Sequence, residues 1–406
     1  MSQTVDLTIL MPCLNEAETI AACIKKAKTG LQNANITGEI LIADNGSTDG
    51  SVQISEELGA RVVRVAAKGY GSALRGGMEA AYGKWIIMGD ADDSYDFSDV
   101  TGFTNKLREG YDLVMGCRFP RGGGTIIPGA MPWKNQWIGN PVLSFIGKTI
   151  YHTPVNDFHC GMRGFTKAAY DRMDLQTTGM EFASEMVMKA TLKSMRIAET
   201  PITLHPDGRS RPPHLKPWRD GWRHLRFMFI YSPKWLFLVP GMVLAGTGFI
   251  VAALLYLLPL HVGGVVFDSG TLMIACMLVI VGIQLIAFAF FTKIFAVAEG
   301  LLPENPKFSR MFGVFTLEKG VITGAVAFFI GVIALVRAFW VWKLADYGTI
   351  SYPENLRRLI PAATLIVVGI QIISSSFFMS VLGLKTVGRT PPNTLEKKQE
   401  GEPEGD

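Results

Sequence analysis

Four apolar runs, near residues 236–258, 271–291, 321–342 and 359–383, constrain this 406-residue chain more than any other feature. Each is about 20 residues or longer, and about 20 apolar residues in a helix cross a hydrocarbon layer roughly 30 Å thick. Backbone polar groups in such a layer must bond within their own segment, so each run is expected to form a spanning helix. The runs exclude a purely soluble enzyme, a disordered chain and a fibrous repeat protein. They also account for a composition that is 49% apolar and only 18% charged.

Orientation follows from Lys and Arg in the connecting segments. Between His205 and Trp235 stand Arg209, Arg211, Lys216, Arg219, Arg223, Arg226 and Lys234, against Asp207 and Asp220. The loop 259–270 has no Lys or Arg, the loop 292–320 has Lys293, Lys307, Arg310 and Lys319, and the tail has Lys385, Arg389, Lys397 and Lys398. This pattern places residues 1–235 and both termini in the cytosol, with Arg357 and Arg358 running against it. A basic stretch just before a span points to anionic lipid headgroups. Residues 214–232 mix aromatics and cations at near-helical spacing and read as an amphipathic segment lying on the membrane. The net charge of +4 is too mild to argue for nucleic acid.

Residues 1–205 alternate short apolar runs (Leu7–Met11, Ile40–Ala43, Arg61–Val65, Trp85–Met88, Leu113–Gly116) with helix-like segments such as Glu16–Thr29 and Gly71–Tyr82. Continuous apolar strands alternating with helices predict an α/β fold with a mostly parallel sheet covered on both faces. The expected domains are a catalytic unit over 1–210, an interfacial segment over 211–235, a four-span unit over 236–385 and a disordered tail over 386–406. The five cysteines form no C-x-x-C pair, which argues against a disulfide framework or a zinc site. Leu7–Met11 is too short for a secretory signal.

In a parallel sheet, ligands bind beyond the carboxyl ends of the strands. Three polar clusters fall there: Met11-Pro12-Cys13-Leu14-Asn15-Glu16, Asp44 to Ser51, and Gly89-Asp90-Ala91-Asp92-Asp93. The first two also read as a helix start and as a turn followed by a cap. The third holds three carboxylates within four residues, which repel one another unless a cation compensates. Oxygen-only ligands suit Mg²⁺ or Mn²⁺, bridged to a substrate diphosphate. Downstream, Arg118, Arg163, Arg209 and Lys216 are candidates for gripping a second phosphate. The loop Arg121–Thr125 reads either as a lid or as a plain connection.

The ordered set Pro-x-Leu-Asn-Glu, Asp-x-Gly-Ser-x-Asp-Gly, Asp-Ala-Asp, Gly-x-Arg, Asp…Gly-x-Arg and Glu-x-Pro-Ile (Glu199 to Ile202) resembles the family 2 inverting glycosyltransferases of the GT-A fold. Within that family it is similar to the polyprenyl-phosphate sugar transferases typified by the dolichyl-phosphate mannose and glucose synthases. The resemblance covers about residues 5–235. It implies that Pro12, Asn15, Glu16, Asp44, Lys68, Arg75 and Asp90 bind the nucleotide of a UDP- or GDP-linked sugar. It further implies that Asp90 and Asp92 hold Mg²⁺ or Mn²⁺, and that Arg118, Arg163 and Arg209 face the lipid phosphate. The segment Trp133–Asn140 lacks the Arg-x-x-x-Ser of some relatives, and Lys134 is the candidate replacement. Glu185 falls where relatives place a base, although a phosphate acceptor is already ionised near neutral pH. The implied catalytic set is therefore Asp92, Arg118, Arg163 and Glu185.

Two other readings share these features. A processive polysaccharide synthase would carry a Gln-x-x-Arg-Trp motif after the catalytic unit, and none is present. A transporter or flippase that only senses nucleotide sugar would need a polar path, and the spans offer few polar residues. Gln284 and Gln371 lie mid-span and are expected to bond helix to helix. The second pair of spans has no part in the chemistry and is left to stability or self-association.

Overall fold

The computed structural model describes residues 5–210, 217–257, 259–299, 302, 317–344, 346–348 and 352–383. It contains two compact units, Met1–Ser232 and Pro233–Asp406. Arg211 and Lys216 of the basic stretch lie outside the described residues, as does the expected tail over 386–406.

The first unit begins β1 (Leu7–Cys13), α1 (Ile20–Asn33), β2 (Gly38–Asp44), α2 (Ser51–Glu57), β3 (Arg61–Arg64), α3 (Tyr70–Ala80), β4 (Trp85–Met88) and α4 (Thr101–Arg108). It continues β5 (Leu113–Cys117), β6 (Thr125–Ile126), α5 (Asn140–Tyr151), β7 (Arg163–Thr166), α6 (Lys167–Met173) and α7 (Phe182–Leu192). It closes with β8 (Ile197–Pro201), β9 (Thr203–Leu204) and α8 (Pro217–Ile230).

Seven strands form one sheet in the order β3-β2-β1-β4-β7-β5-β8. The expected mostly parallel sheet is present: β1 pairs in parallel with β2 and β4, β2 with β3, and β5 with β8. The exception is β7, which runs antiparallel between β4 and β5. Its sequence, Arg-Gly-Phe-Thr, opens on a charge and gives no apolar run from which to find it. The central strands are buried on both faces, as their unbroken apolar runs require. In α1 the buried positions Ile20, Cys23, Ile24, Ala27 and Gly30 recur at helical spacing, which lays one face of the helix on the sheet. β1 neighbours β2 on one side and β4 on the other, so the chain order reverses at β1, and a crevice opens beyond the carboxyl ends of β1 and β4.

The described part of the segment read as lying on the membrane belongs to the first unit: α8 packs on α5 and α7, and Asp220, His224 and Met228 bury a stripe at four-residue spacing, while Trp222 and Ile230 stay exposed. The amphipathic pattern has the same cause in either setting, an apolar face seeking cover. The loop Arg121–Thr125 ends in β6, where Thr125 pairs in parallel with Thr203 of β9.

The second unit holds four helices long and apolar enough to cross a membrane, Lys234–Leu257, Ser269–Ala298, Leu317–Leu344 and Glu354–Gly383. Between the first two, Leu260–Val262 and Val265–Phe267 form an antiparallel hairpin. Gln371 Nε2 donates to Gln284 Oε1 at 3.1 Å, the interhelical bond expected of two mid-span amides.

Candidate functional site

The end of β2 is folded back by its own side chains. Asp44 accepts from the backbone N–H groups of Gly46 (3.1 Å) and Ser47 (3.0 Å), a turn that presents Ser47 and Thr48 to the end of β1. There Asn15 adopts a left-handed backbone (φ 59°), which asparagine tolerates, and its Oδ1 accepts from Thr48 N–H at 2.8 Å. Glu16 N–H donates to Ser51 Oγ at 2.8 Å and Ala17 N–H to Asp49 Oδ2 at 2.9 Å. Pro12, the position opposite Ala43 in the sheet, leads into this turn. The result is a hollow of about 330 Å³ lined by Asn15, Glu16, Glu18, Thr48, Asp49 and Arg209.

Lys68 braces the turn after β2. Its Nζ donates to the carbonyl of Asn45 at 2.7 Å, while Gly69 N–H donates to Asn45 Oδ1 at 2.9 Å. Gly69 has φ +124°, and a Cβ there would strike the carbonyl of Thr178, so only glycine fits. Tyr70, at the start of α3, donates its hydroxyl to Asp90 Oδ1 at 3.0 Å.

Asp92 lies next to this pair. Its Oδ1 accepts from Ser94 N–H and Oγ, and its Oδ2 accepts from Arg209 Nη2 at 2.5 Å. Arg209 Nη1 reaches Glu16 Oε1 at 3.2 Å, so one guanidinium joins the first and third clusters. Burial and the Asp92 charge push the Asp90 carboxyl up to about 6, against the opposing pull of Tyr70, Arg209 and Arg118. Asp93, whose role the sequence leaves open, has a left-handed backbone (φ 64°) and pairs with Lys26 at 2.8 Å. Its charge is thereby turned toward α1.

Other expected site residues have different duties. Arg118 is buried and grips Asp157 through Nε (2.7 Å) and Nη2 (2.8 Å). Asp157 and Asn156 are fixed in turn by Glu199, which accepts both backbone N–H groups. Arg163 does not face a phosphate. It is fully buried on β7, where its guanidinium donates to the carbonyls of Cys160 (2.8 Å), Phe158 (3.4 Å) and Ala183. Glu185 is not placed as a base. It is fully buried, paired with Lys189 at 2.9 Å, and accepts from Gln176 and Thr177, so it anchors the loop before α7. Arg75 reaches the carbonyl of Gln176 at 3.4 Å rather than the Asp44 turn. Lys134 is exposed beside the Trp133 ring. The sequence missed Tyr70 and Asp157 as partners of the site, although both lie inside motifs already in view. The cause is that their roles arise from contacts 20 and 39 residues away in the chain.

Behind this wall lies a second cluster. Ser184 Oγ is bonded to His224 Nδ1 (2.8 Å) and His159 Nε2 (3.2 Å), tying α8 to α7. Burial lowers both imidazoles, His224 to about 4. All five cysteines are buried and free, as small hydrophobes in a reduced chain would be.

Comparison with known proteins bears on both units. Residues 8–174 match the glycosyl transferase family 2 model, and residues 290–383 match the glycosyltransferase family 2 C-terminal transmembrane region. The low-salt glycan biosynthesis hexosyltransferase Agl6 of Haloferax volcanii is 36% identical over 379 residues, covering 93% of this chain and 89% of that protein. A dolichyl-phosphate hexose transferase of the same organism is 26% identical over 198 residues, covering 48% of this chain and 82% of its own. Among solved structures, glucosyl-3-phosphoglycerate synthase from Mycobacterium tuberculosis aligns over 56% of this chain and 76% of its own, at 18% identity and a TM-score of 0.43.

Proposed function

The chain belongs to glycosyltransferase family 2, and from that membership we propose that it moves a hexosyl group, with inversion, from a nucleoside diphosphate sugar to a polyprenyl phosphate at the cytosolic membrane face. The observation that carries this reading is the Asp90–Asp92 pair joined by Arg209 to Glu16 at the crevice beyond β1 and β4. The four apolar helices and the likeness to a dolichyl-phosphate hexose transferase support a lipid acceptor.

Asn15 and Glu16, which line the 330 Å³ hollow, would frame the base and ribose, with Pro12 and the Asp44 turn behind them and Lys68 toward the diphosphate. The donor set at Asp90 and Asp92 fits Mg²⁺ or Mn²⁺: both groups are hard oxygen ligands, and burial together with the neighbouring Asp92 charge raises the Asp90 carboxyl, which a dication would offset. A cation there would supply charge neutralisation for the departing diphosphate. Tyr70 fixes the orientation of Asp90. Arg209, bonded to Asp92 and Glu16 in the crevice, would exchange the Asp92 contact for the attacking phosphate and hold it in line, and the exposed Lys134 would bind the same anion. Arg118, clamped by Asp157, adds fixed positive charge near Asp90. No base is required, because the acceptor phosphate is ionised, so catalysis is mainly positioning and charge stabilisation.

The test is a screen of UDP- and GDP-hexoses against undecaprenyl and dolichyl phosphate, with the full chain in detergent and with or without chelator. Transfer of one sugar per lipid, abolished by chelator and restored by Mn²⁺, is the expected result. A polymeric product, or nucleotide-sugar binding without diphosphate release, would overturn it.

A further inference from the structure

A second cleft, of about 390 Å³, is lined by Lys68, Gly69, Thr178, Gly179, Glu181 and the α8 residues Arg223, Arg226, Phe227 and Ile230. Its most informative atom is Glu181 Oε2, which is buried and receives no hydrogen bond. A buried carboxylate oxygen without a donor is costly, because it has given up water and gained nothing. The backbone is cut back to make room for it. A Cβ at Gly179 would lie 2.6 Å and 2.9 Å from the two Glu181 oxygens. The cleft adjoins the carboxylate pair through consecutive residues, since Gly69 lines it and Tyr70 donates to Asp90.

We propose that this cleft receives the hexosyl ring of the donor and that Glu181 is its sugar-binding residue. The inference rests on the glycosyl-transfer reading above and adds to it the place and chemistry of sugar recognition. A hexose brings what the Glu181 oxygen lacks, a neutral O–H donor, and a carboxylate accepts two of them at once. Arg223 and Arg226 supply donors for the ring and hydroxyl oxygens, and the Phe227 ring supplies an apolar face for the C–H side of the sugar. A second phosphate fits less well, because the unsatisfied Glu181 oxygen can only accept hydrogen bonds and would repel it.

The experiment uses the full chain in detergent with UDP-glucose, UDP-galactose, UDP-N-acetylglucosamine and GDP-mannose, and takes the sugar nucleotide that the wild type binds best. Its dissociation constant is compared with that of the matching free nucleoside diphosphate for wild type, Glu181→Ala and Gly179→Ala. Both variants are expected to weaken the sugar nucleotide by about 10-fold or more while leaving the nucleoside diphosphate within about twofold, as loss of a sugar-specific hydrogen bond requires. Glu181→Gln, which keeps one carbonyl acceptor, should fall between. Equal weakening of both ligands, or none in either variant, overturns the assignment while glycosyl transfer by the wild type still stands. A wild type that binds none of the four sugar nucleotides overturns both readings.

Discussion

Arg163 and Arg209 carry the same guanidinium into opposite roles. Arg163 is a strut: three carbonyls surround it and no solvent reaches it. Arg163→Met should therefore cost about 2 kcal/mol, read as several degrees of melting temperature, because buried carbonyls lose their donor. Arg209 lies across the crevice, and Arg209→Ala should leave the melting temperature near that of wild type while sugar transfer collapses. Asp92→Asn should behave in the same way, with transfer down about 100-fold or more in a radiolabelled-sugar assay and the fold retained. Retained activity in Asp92→Asn would sink the cation role. The His159–Ser184–His224 cluster sets a pH dependence of stability. Both imidazoles are held neutral in the folded chain, so their contribution is whole above the ordinary histidine value near 6.5. It is lost as pH falls from there toward about 4, where His224 takes up its proton. Melting scans from pH 7.5 to 4.5 should show this decline, and His224→Asn should flatten it.

Among the secondary elements, the spans show how close packing replaces the hydrophobic drive that lipid removes. Gly241 and Gly248 of the first span meet Gly282 and Ala275 of the second. Gly324 and Gly331 of the third meet Gly369 and Ala362 of the fourth in the same seven-residue spacing. Small residues let the backbones approach, so dispersion contacts hold each helical pair. A side chain at Gly282 would strike the backbone of Ala245, and Gly282→Val should loosen the first pair by about 1–3 kcal/mol. Thermal aggregation in detergent would report that loss. The Gln284–Gln371 bond is worth less, and replacing both by Leu should cost only about 0.6 kcal/mol. In the first unit, α8 makes a similar point about cover. Its buried stripe is used on α5 and α7, while Trp222 and Ile230 stay exposed.

Across the chain as a whole, charge distribution is the guide to topology. Arg357 and Arg358 oppose the positive-inside pattern, and the structure pairs Arg357 with Asp268 at 2.6 Å. Asp268 precedes the second span and lies in the loop 259–270, which carries no Lys or Arg. The pairing cancels the Arg357 charge and removes much of the conflict. A cysteine placed at Gly264 should thus react with a membrane-impermeant maleimide added to intact cells, against a low background from the five buried native cysteines. Labelling only after permeabilisation would reverse the proposed orientation.

The sequence alone determined the two-unit plan, the parallel core strands, the four spans and the clusters at the strand ends. These follow from local rules: apolar run length, strand-helix alternation and the turn chemistry of Asp, Asn and Gly. Tertiary structure decided which charges face the crevice. Arg118, Arg163 and Arg209 look alike in a sequence, yet one is clamped by Asp157, one is sealed beneath β7 and one lies on Asp92. It also decided that β7 enters the sheet antiparallel, that Glu185 braces a loop and that Glu181 keeps a buried oxygen unsatisfied. Each of those outcomes depends on partners far off in the chain, and a side chain's desolvation and pairing exist only once those partners have met.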